Sequence, residues 1–196
     1  GAARYFEEKG SAVDAVAKNA GSGDSVKLTF GTVLKKVPED QIPVNVGERG
    51  PWNNYSVYLP TRDGDGNYVK RCAFISQHYG LSEGYPDMTQ EEILHLAFNN
   101  LGDRYGWGGM LDSMDCSLFT RNVYRCFGLE LPRNTSWQLA IPGRKIDLSG
   151  LDDEEKLSAI KKMPAGTLFY FPGHIMLYVG ASDDMAYVIS DTGSLS

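Results

Sequence analysis

The hydrophobic pattern of the chain changes character at Gly84-Tyr85-Pro86. Before this point apolar residues alternate with polar ones, as at Val26, Leu28 and Phe30, and a period of two is typical of half-buried strands. After it, apolar residues recur first at helical spacing and then in strand-like runs. The two patterns suit different structures, so the chain is expected to fold as two parts.

The first part is predicted to be β-rich. Tyr55, Val57 and Leu59 form a second alternating run, and clusters of proline and glycine separate the runs as turns. Short strands joined by turns are typical of a small barrel. Residues 11–20 are ambiguous, since they could also form a short helix that ends at residues 21–23.

The second part is predicted to contain helices followed by antiparallel strands, which makes it an α+β domain. Thr89 and Glu92 have the spacing of a capping box, and Gly128 suits the position just after a helix. We expect helices at residues 89–100, 115–127 and 152–162, and strands at 167–171, 175–179 and 186–189.

Composition excludes several classes of protein. The 196 residues are 42% hydrophobic and 22% charged, which is the balance of a globular protein. The formal net charge is −6 and no basic cluster is present, so nucleic-acid binding is not expected. No apolar run approaches the about 18 residues of a membrane-spanning helix, so no membrane span is expected either. The oligomeric state is left open.

Cys116 is the strongest candidate for a catalytic nucleophile. The run Asp115-Cys116-Ser117 places its thiol in the first turn of a predicted helix, where free N–H groups and the helix dipole favour the thiolate. A buried structural cysteine is the alternative, and position alone does not separate the two. Cys72 and Cys126 lie among apolar residues and are interpreted as core residues, with no disulfide framework expected from three cysteines.

A cysteine nucleophile needs a base, which is usually histidine. The chain has three histidines. His78 lies in the β-rich part and His95 lies in the middle of a predicted helix. His174 begins a predicted strand after Pro172-Gly173, where it can face a helix N-terminus, and is therefore the best candidate.

No metal or other cofactor is expected. The histidines and cysteines form no close ligand pair such as Cys-x-x-Cys. The run Asp63-x-Asp65-x-Asn67 begins like a calcium loop but lacks its later glycine and glutamate, so we interpret it as a hairpin turn. No phosphate loop or dinucleotide fingerprint is present.

Several motifs occur together in a characteristic order: residues 105–109 (Tyr-Gly-Trp-Gly-Gly), 115–117 (Asp-Cys-Ser), 131–135 with Gln138, and 173–180. Over about residues 86–193 the chain resembles the NlpC-type cysteine peptidases of bacterial cell-wall turnover. The first part is similar to the SH3-like modules that precede such domains. The resemblance implies an SH3-like β domain at 1–85 and a papain-like α+β peptidase domain at 86–196.

The resemblance also implies an activity and its residues. The substrate would be a peptidoglycan stem peptide, cut between γ-D-glutamate and a diamino acid. Cys116 would attack the carbonyl, His174 would be the general base and then the acid, and Tyr105 would stabilise the oxyanion. The protein would act outside the bacterial cytoplasm, as a secreted, cell-wall or periplasmic enzyme.

Substrate contacts follow in the same way. Asp115 would hold a free N-terminal amine of the substrate, and Ser117 would contact the stem peptide. Trp107 and Arg133 are also assigned to substrate binding.

The chain begins with Gly1 rather than Met, so a missing signal peptide says nothing about the destination of the protein. In the complete family pattern, we expect a further strand beyond Ser196.

One residue departs from the family. The third polar residue of the site, usually a histidine, falls at Ser190. Its hydroxyl could accept a proton from Nδ1 of His174, whereas Asp191 would point to the opposite face of a continuing strand. An alternative function is therefore a peptidoglycan-binding protein with a weakened catalytic site. An acyltransferase or amidase on a permuted scaffold is a third reading, disfavoured because Cys116 precedes His174.

Overall fold

The computed structural model describes residues 2–6, 15–19 and 25–193 of the chain. The chain divides into two compact units, residues 1–86 and residues 87–196. Each unit has its own sheet and its own buried core. We describe them one at a time.

The first unit is built on a seven-stranded sheet. Its strands are β1 (Ala2–Phe6), β2 (Ala15–Asn19), β3 (Ser25–Leu28), β4 (Val33–Lys36), β5 (Asn54–Arg62), β6 (Tyr68–Ser76) and β7 (Gly80–Glu83). The order across the sheet is β3-β2-β6-β5-β4-β1-β7, and its strand pairs are antiparallel.

Strand pairing corrects one expectation for this unit and resolves one segment that the sequence left ambiguous. The edge strands β3 and β7 each pair with one neighbour and not with each other, so the sheet is open and the predicted SH3-like barrel is not seen among the described strands. Residues 15–19 form strand β2 instead of part of a helix, because pairing with β3 and β6 decides the structure of this short, ambiguous segment.

The alternating pattern correctly identified the core of the first unit. Val57 and Leu59 on β5 are 0% and 1% exposed, and they pack with Ala73 and Ile75 of β6. The β5–β6 connection is the predicted hairpin turn, in which the Asp63 carboxylate accepts hydrogen bonds from backbone N–H groups across the turn.

The second unit contains four α-helices and a three-stranded antiparallel sheet in the described residues. The helices are α1 (Gln90–Phe98), α2 (Cys116–Arg125), α3 (Thr135–Ala140) and α4 (Asp153–Ile160). The strands are β8 (Leu168–Phe171), β9 (His174–Ser182) and β10 (Met185–Ile189), in the order β10-β9-β8. A 3₁₀ segment, Trp107–Asp112, precedes α2.

Capping residues explain where these helices begin. The Thr89 hydroxyl accepts from Glu92 N at the start of α1, and Asp152 and Glu155 form a reciprocal capping box on α4. The sequence pattern missed α3, which has six residues and whose N-cap, Asn134, makes no side-chain capping bond.

The core of the second unit lies between α2, α1 and the sheet. Val123 of α2 and Leu177 of β9 are fully buried, and Phe169 stacks on Tyr178 with ring centroids 5.0 Å apart. Helix α2 packs on strand β9, and these two elements begin with Cys116 and His174. Within the described residues, no helix is long and apolar enough to cross a membrane.

Candidate active site

The candidate nucleophile Cys116 is the first residue of helix α2. Its side chain is buried, with 6% of the residue exposed, and its Sγ lies 3.9 Å from Oγ1 of Thr135 at the start of α3. None of the three cysteines forms a disulfide bond. Cys116 thus lies in the first turn of a helix, which is the position that the sequence pattern predicted.

Asp115 is the N-cap of α2, and its carboxylate is surrounded by donors. Oδ1 accepts from Leu118 N at 2.8 Å and from the Ser117 hydroxyl at 3.0 Å. Arg133 donates through Nη1 to Oδ1 at 2.9 Å and through Nη2 to Oδ2 at 2.6 Å, while Gly108 N donates to Oδ2 at 3.1 Å. These five hydrogen bonds satisfy both oxygens of the carboxylate, which has about four lone-pair sites.

The charge on Asp115 is stabilised by this surrounding. Burial alone would raise the pKa of Asp115, but the hydrogen bonds and positive charge of Arg133, with the Leu118 N–H, hold that pKa below its ordinary value of 3.8. Asp115 is therefore a carboxylate at neutral pH.

Gln138 connects the segment carrying Arg133 to α2 and was not selected as a site residue from the sequence. Its Nε2 donates to the carbonyl oxygens of Ser117 and Pro132, and its Oε1 accepts from the Thr120 hydroxyl at 2.8 Å. The side chain is buried, with 3% of the residue exposed. In the sequence, only the motif that contains Thr135 and Gln138 indicated these contacts. No helix or strand periodicity relates these two residues to residues about 20 positions earlier.

The candidate base His174 is the first residue of β9 and is half-buried. Its Nε2 lies 2.6 Å from Oγ of Ser190, which follows β10. The sequence prediction placed this contact on Nδ1, and the structure places it on Nε2. The difference follows from the orientation of the ring, which no sequence pattern specifies. No hydrogen bond joins His174 to Cys116 in the described part of the chain.

Tyr105 lies just before the 3₁₀ segment. Its backbone forms an isolated β-bridge with Met114, which lies close before α2 in the chain. Its ring packs closely on Gly193, so a Cβ added to Gly193 would lie 2.9 Å from Cδ1 of Tyr105. Burial raises the pKa of Tyr105, and the negative charge of Cys116 and Asp115 adds to the effect. The phenol thus stays protonated at neutral pH and can donate a hydrogen bond.

The remaining predicted residues fall into two groups. Ser117 is buried and takes part in the Asp115 network, where Arg133 Nη1 also donates to its hydroxyl at 3.0 Å. Trp107 is 73% exposed at the start of the 3₁₀ segment. Trp107 is free to contact a ligand, whereas Ser117 and Arg133 already bind other protein groups.

The described residues contain no group of three or more His, Cys, Asp or Glu side chains that could hold a metal ion. The site chemistry rests on a thiol, an imidazole, a phenol and a hydroxyl. This set can form and hydrolyse an acyl-enzyme.

Residues 102–191 match the NlpC/P60 family. Proteins of this family are generally cell-wall cysteine peptidases. The matched range contains every candidate residue from Tyr105 to Ser190. Comparison with the curated proteins finds no match.

Two solved structures share the fold. One is an NlpC/P60 family protein from Bacillus cereus, with 17% identity, a TM-score of 0.56, and coverage of 96% of this chain and 57% of the other. The second is an NlpC/P60 endopeptidase from Photobacterium damselae subsp. piscicida, with 17% identity, a TM-score of 0.65, and coverage of 95% and 40%. The chain thus spans about half the length of these two NlpC/P60 proteins.

Proposed function

We propose that the second unit is a cysteine endopeptidase that hydrolyses peptidoglycan stem peptides between γ-D-glutamate and a diamino acid. The observation that carries the proposal is the packing of α2 on β9, because Cys116 begins that helix and His174 begins that strand. The NlpC/P60 match of residues 102–191 supports the reaction class and the cell-wall substrate.

Cys116 supplies the nucleophile in this proposal. Its thiolate attacks the carbonyl carbon of the γ-glutamyl bond, and the tetrahedral intermediate collapses as the amine of the diamino acid leaves. The acyl group remains on Sγ as a thioester. Water then attacks the thioester carbonyl, which releases the carboxylic acid and restores the thiol.

His174 transfers the protons. Since Nε2 faces Ser190, Nδ1 is the nitrogen that takes the thiol proton. The same proton passes to the leaving amine, and His174 then accepts one from the attacking water. Tyr105 donates its phenolic hydrogen to the oxyanion as negative charge develops there.

Asp115 is better supported as a positioning residue than as the group that holds a substrate amine. A free amine would have to displace Arg133, which binds both carboxylate oxygens. We therefore expect the enzyme to cleave stem peptides whether or not their N-terminal L-Ala is acylated.

The test uses two substrates and two variants. L-Ala-γ-D-Glu-diaminopimelate and its N-acetylmuramoyl form are incubated with the protein, and the products are identified by mass spectrometry. We expect wild type to cut both, and Cys116→Ala to cut neither. Cys72→Ala is the matched control, because Cys72 is a half-buried thiol in the other unit, and it should retain activity.

Other outcomes would change the proposal in defined ways. Cleavage of the free-amine peptide alone would show that Asp115 exchanges Arg133 for the substrate amine. Binding of both peptides by wild type without cleavage would favour the alternative of a peptidoglycan-binding protein, in which Ser190 does not support catalysis. Cleavage that survives Cys116→Ala would refute the assignment of the nucleophile.

The same family match supports a location. NlpC/P60 proteins are usually extracytoplasmic or bound to the cell wall, and we propose that this protein acts there on bacterial peptidoglycan.

A further inference from the structure

A small cavity in the second unit borders Ser190, whose hydroxyl contacts the proposed catalytic base His174. It has a volume of about 70 Å³, and its wall includes Ser190, Asp191, Asp103 and Asn100 together with apolar side chains from α2 and β10. One water molecule needs about 15 Å³ of such space, and it needs two to four polar partners. The cavity is large enough for a water molecule, and four of its lining residues carry polar side chains.

The contact with Ser190 does not by itself determine which ring nitrogen of neutral His174 carries the proton. A hydroxyl can accept from an Nε2–H or donate to a bare Nε2, and a separation of 2.6 Å suits either arrangement. Only the first leaves a lone pair on Nδ1, and a general base needs that lone pair. Something beyond Ser190 has to select the arrangement.

The carboxylate of Asp191 has the properties needed to select one of these two hydrogen-bond arrangements. Its Oδ2 is buried and has no hydrogen-bond partner among the described residues, and a buried carboxylate oxygen without a partner is costly. The residue borders the same cavity as Ser190. An ionised carboxylate only accepts hydrogen bonds, so it fixes the direction of any chain that ends on it.

We infer that Asp191 is a positioning residue that acts on His174 through a cavity water and Ser190. The Nε2–H donates to the Ser190 oxygen, the Ser190 hydroxyl donates to the water, and the water donates to Asp191 Oδ2. His174 is thereby held with its proton on Nε2 and its lone pair on Nδ1. The inference rests on the proposed function in one respect, namely that His174 is the base for Cys116.

The surroundings of Asp191 set the pH range of this chain of hydrogen bonds. Burial raises the pKa of Asp191 to about 6, and the carboxylates of Asp103 and Asp115 add to the rise. Two further titratable groups lie near Asp191. Tyr105 interacts with its charge, and His174 contacts the neighbouring residue Ser190. Asp191 is thus ionised, and able to direct the chain, above about pH 6.

The test is Asp191→Asn, which keeps the size of the side chain and removes its charge. We expect kcat for stem-peptide cleavage to fall by about tenfold to hundredfold with KM unchanged, a part of the about 10²–10⁴-fold effect of general bases. Alkylation of Cys116 by iodoacetamide at pH 7 should slow about tenfold, since less thiolate is formed. Asp184→Asn, on the exposed β9–β10 turn, is the matched control and should change neither rate.

Two further variants examine the route. In a Ser190→Ala background, Asp191→Asn should cause no additional loss, because its effect passes through Ser190. Asp103→Asn should move the acidic limb of the alkylation profile to lower pH, because it removes a charge that raises the pKa of Asp191.

The result that overturns the inference is an Asp191→Asn protein that alkylates at the wild-type rate across pH 5–8. An equal loss with and without Ser190 would overturn it as well. The two proposals fail separately: if wild type cleaves neither stem peptide but Asp191→Asn still slows alkylation, the substrate assignment is wrong and the positioning role stands.

Discussion

Asp115 and Asp191 are two carboxylates of the same unit whose surroundings drive their pKa values in opposite directions. Asp115 is bound by Arg133 and backbone N–H groups, and its pKa is lowered. Asp191 has a buried oxygen that accepts no hydrogen bond from the described residues, and burial with two neighbouring carboxylates raises its pKa to about 6. Each shift implies a distinct dependence of stability on pH.

Arg133→Gln should destabilise the protein at neutral pH. Asp115 would lose its bidentate partner, and we expect a loss of about 2 kcal/mol, less than for a fully buried pair because Arg133 is 34% exposed. A lowered pKa stabilises the fold above the ordinary value of 3.8, and that contribution is lost as the pH falls. Urea unfolding at pH 7 and pH 3 should therefore show a smaller difference from wild type in acid.

The exposed Arg144 offers a control for this substitution, and Arg144→Gln should leave the urea midpoint at pH 7 unchanged. A difference between Arg133→Gln and wild type that is equally large at both pH values would show that Arg133 acts through packing rather than through the charge of Asp115.

Asp191→Asn should stabilise the protein at neutral pH even as it impairs the base. A raised pKa means that the folded state disfavours the ionised carboxyl. Ionisation of Asp191 therefore begins to lower the stability of the fold near pH 4, and the loss is complete above about pH 6. We expect a gain of about 1 kcal/mol at pH 7.5 after allowing for solvent screening, and none at pH 4. Thermal melting at the two pH values measures it, and a lower melting temperature at pH 7.5 would contradict the expectation.

At the scale of elements, the glycines around the 3₁₀ segment show how the backbone positions the site. Gly106 N donates to the Met114 carbonyl, and a Cβ on Gly106 would come within 2.6 Å of Ser113 Cβ and closer still to the Met110 carbonyl oxygen. The backbone atoms cannot yield without moving the segment from Tyr105 to Gly108. The same segment carries the phenol of Tyr105 and the N–H of Gly108, which donates a hydrogen bond to Asp115.

Gly106→Ala is accordingly expected to lower stability by about 2 kcal/mol and to reduce cleavage at least tenfold, since about 1–3 kcal/mol is typical of overpacking. Gly150→Ala is the matched control, because nothing lies within 4 Å of a Cβ at Gly150. Chemical denaturation and peptide cleavage are measured for both variants. Equal behaviour of the two would show that the 3₁₀ segment adapts without cost.

The sequence anticipated elements that have strong local signals. Asp115 and Gly128 delimit α2, and Thr89 marks the start of α1, because capping depends on residues close in the chain. Helix α3 and strand β2 were not anticipated. The first is too short to show a period, and the second is decided by pairing with distant strands.

The same distinction holds for the site. The contact between His174 and Ser190 was expected from the family resemblance, although on the other ring nitrogen. The ion pair of Arg133 with Asp115 joins residues 18 positions apart across a loop, and no periodicity predicts it. Asp191 lines a cavity together with residues from distant parts of the sequence, such as Asn100 and Phe119, which only the folded chain brings together.

At the scale of the whole molecule, the chain consists of two units that each bury their own apolar residues. Leu59 is at the centre of the first core and Leu177 at the centre of the second, with exposed fractions of 1% and 0%. Units with separate cores usually unfold as separate cooperative blocks.

We expect Leu59→Ala and Leu177→Ala to affect different unfolding transitions. Each removes buried methyl groups and should cost about 2–5 kcal/mol in its own unit. Differential scanning calorimetry should show one transition lowered by each variant. Leu59→Ala should also leave the alkylation rate of Cys116 at 25 °C unchanged, whereas a single transition shifted equally by both variants would argue for one cooperative unit.

The positions of the tryptophans have a consequence for spectroscopy. The chain has three, and Trp52, Trp107 and Trp137 are 72%, 73% and 66% exposed. Indoles in water already emit at long wavelength, so intrinsic fluorescence will change little on unfolding and is a poor monitor of the native state. Two of these fluorophores, Trp107 and Trp137, belong to the segments that carry Tyr105 and Thr135. A ligand that shields either indole from water will shift the emission to the blue, which makes the natural chromophores reporters of occupancy rather than of folding.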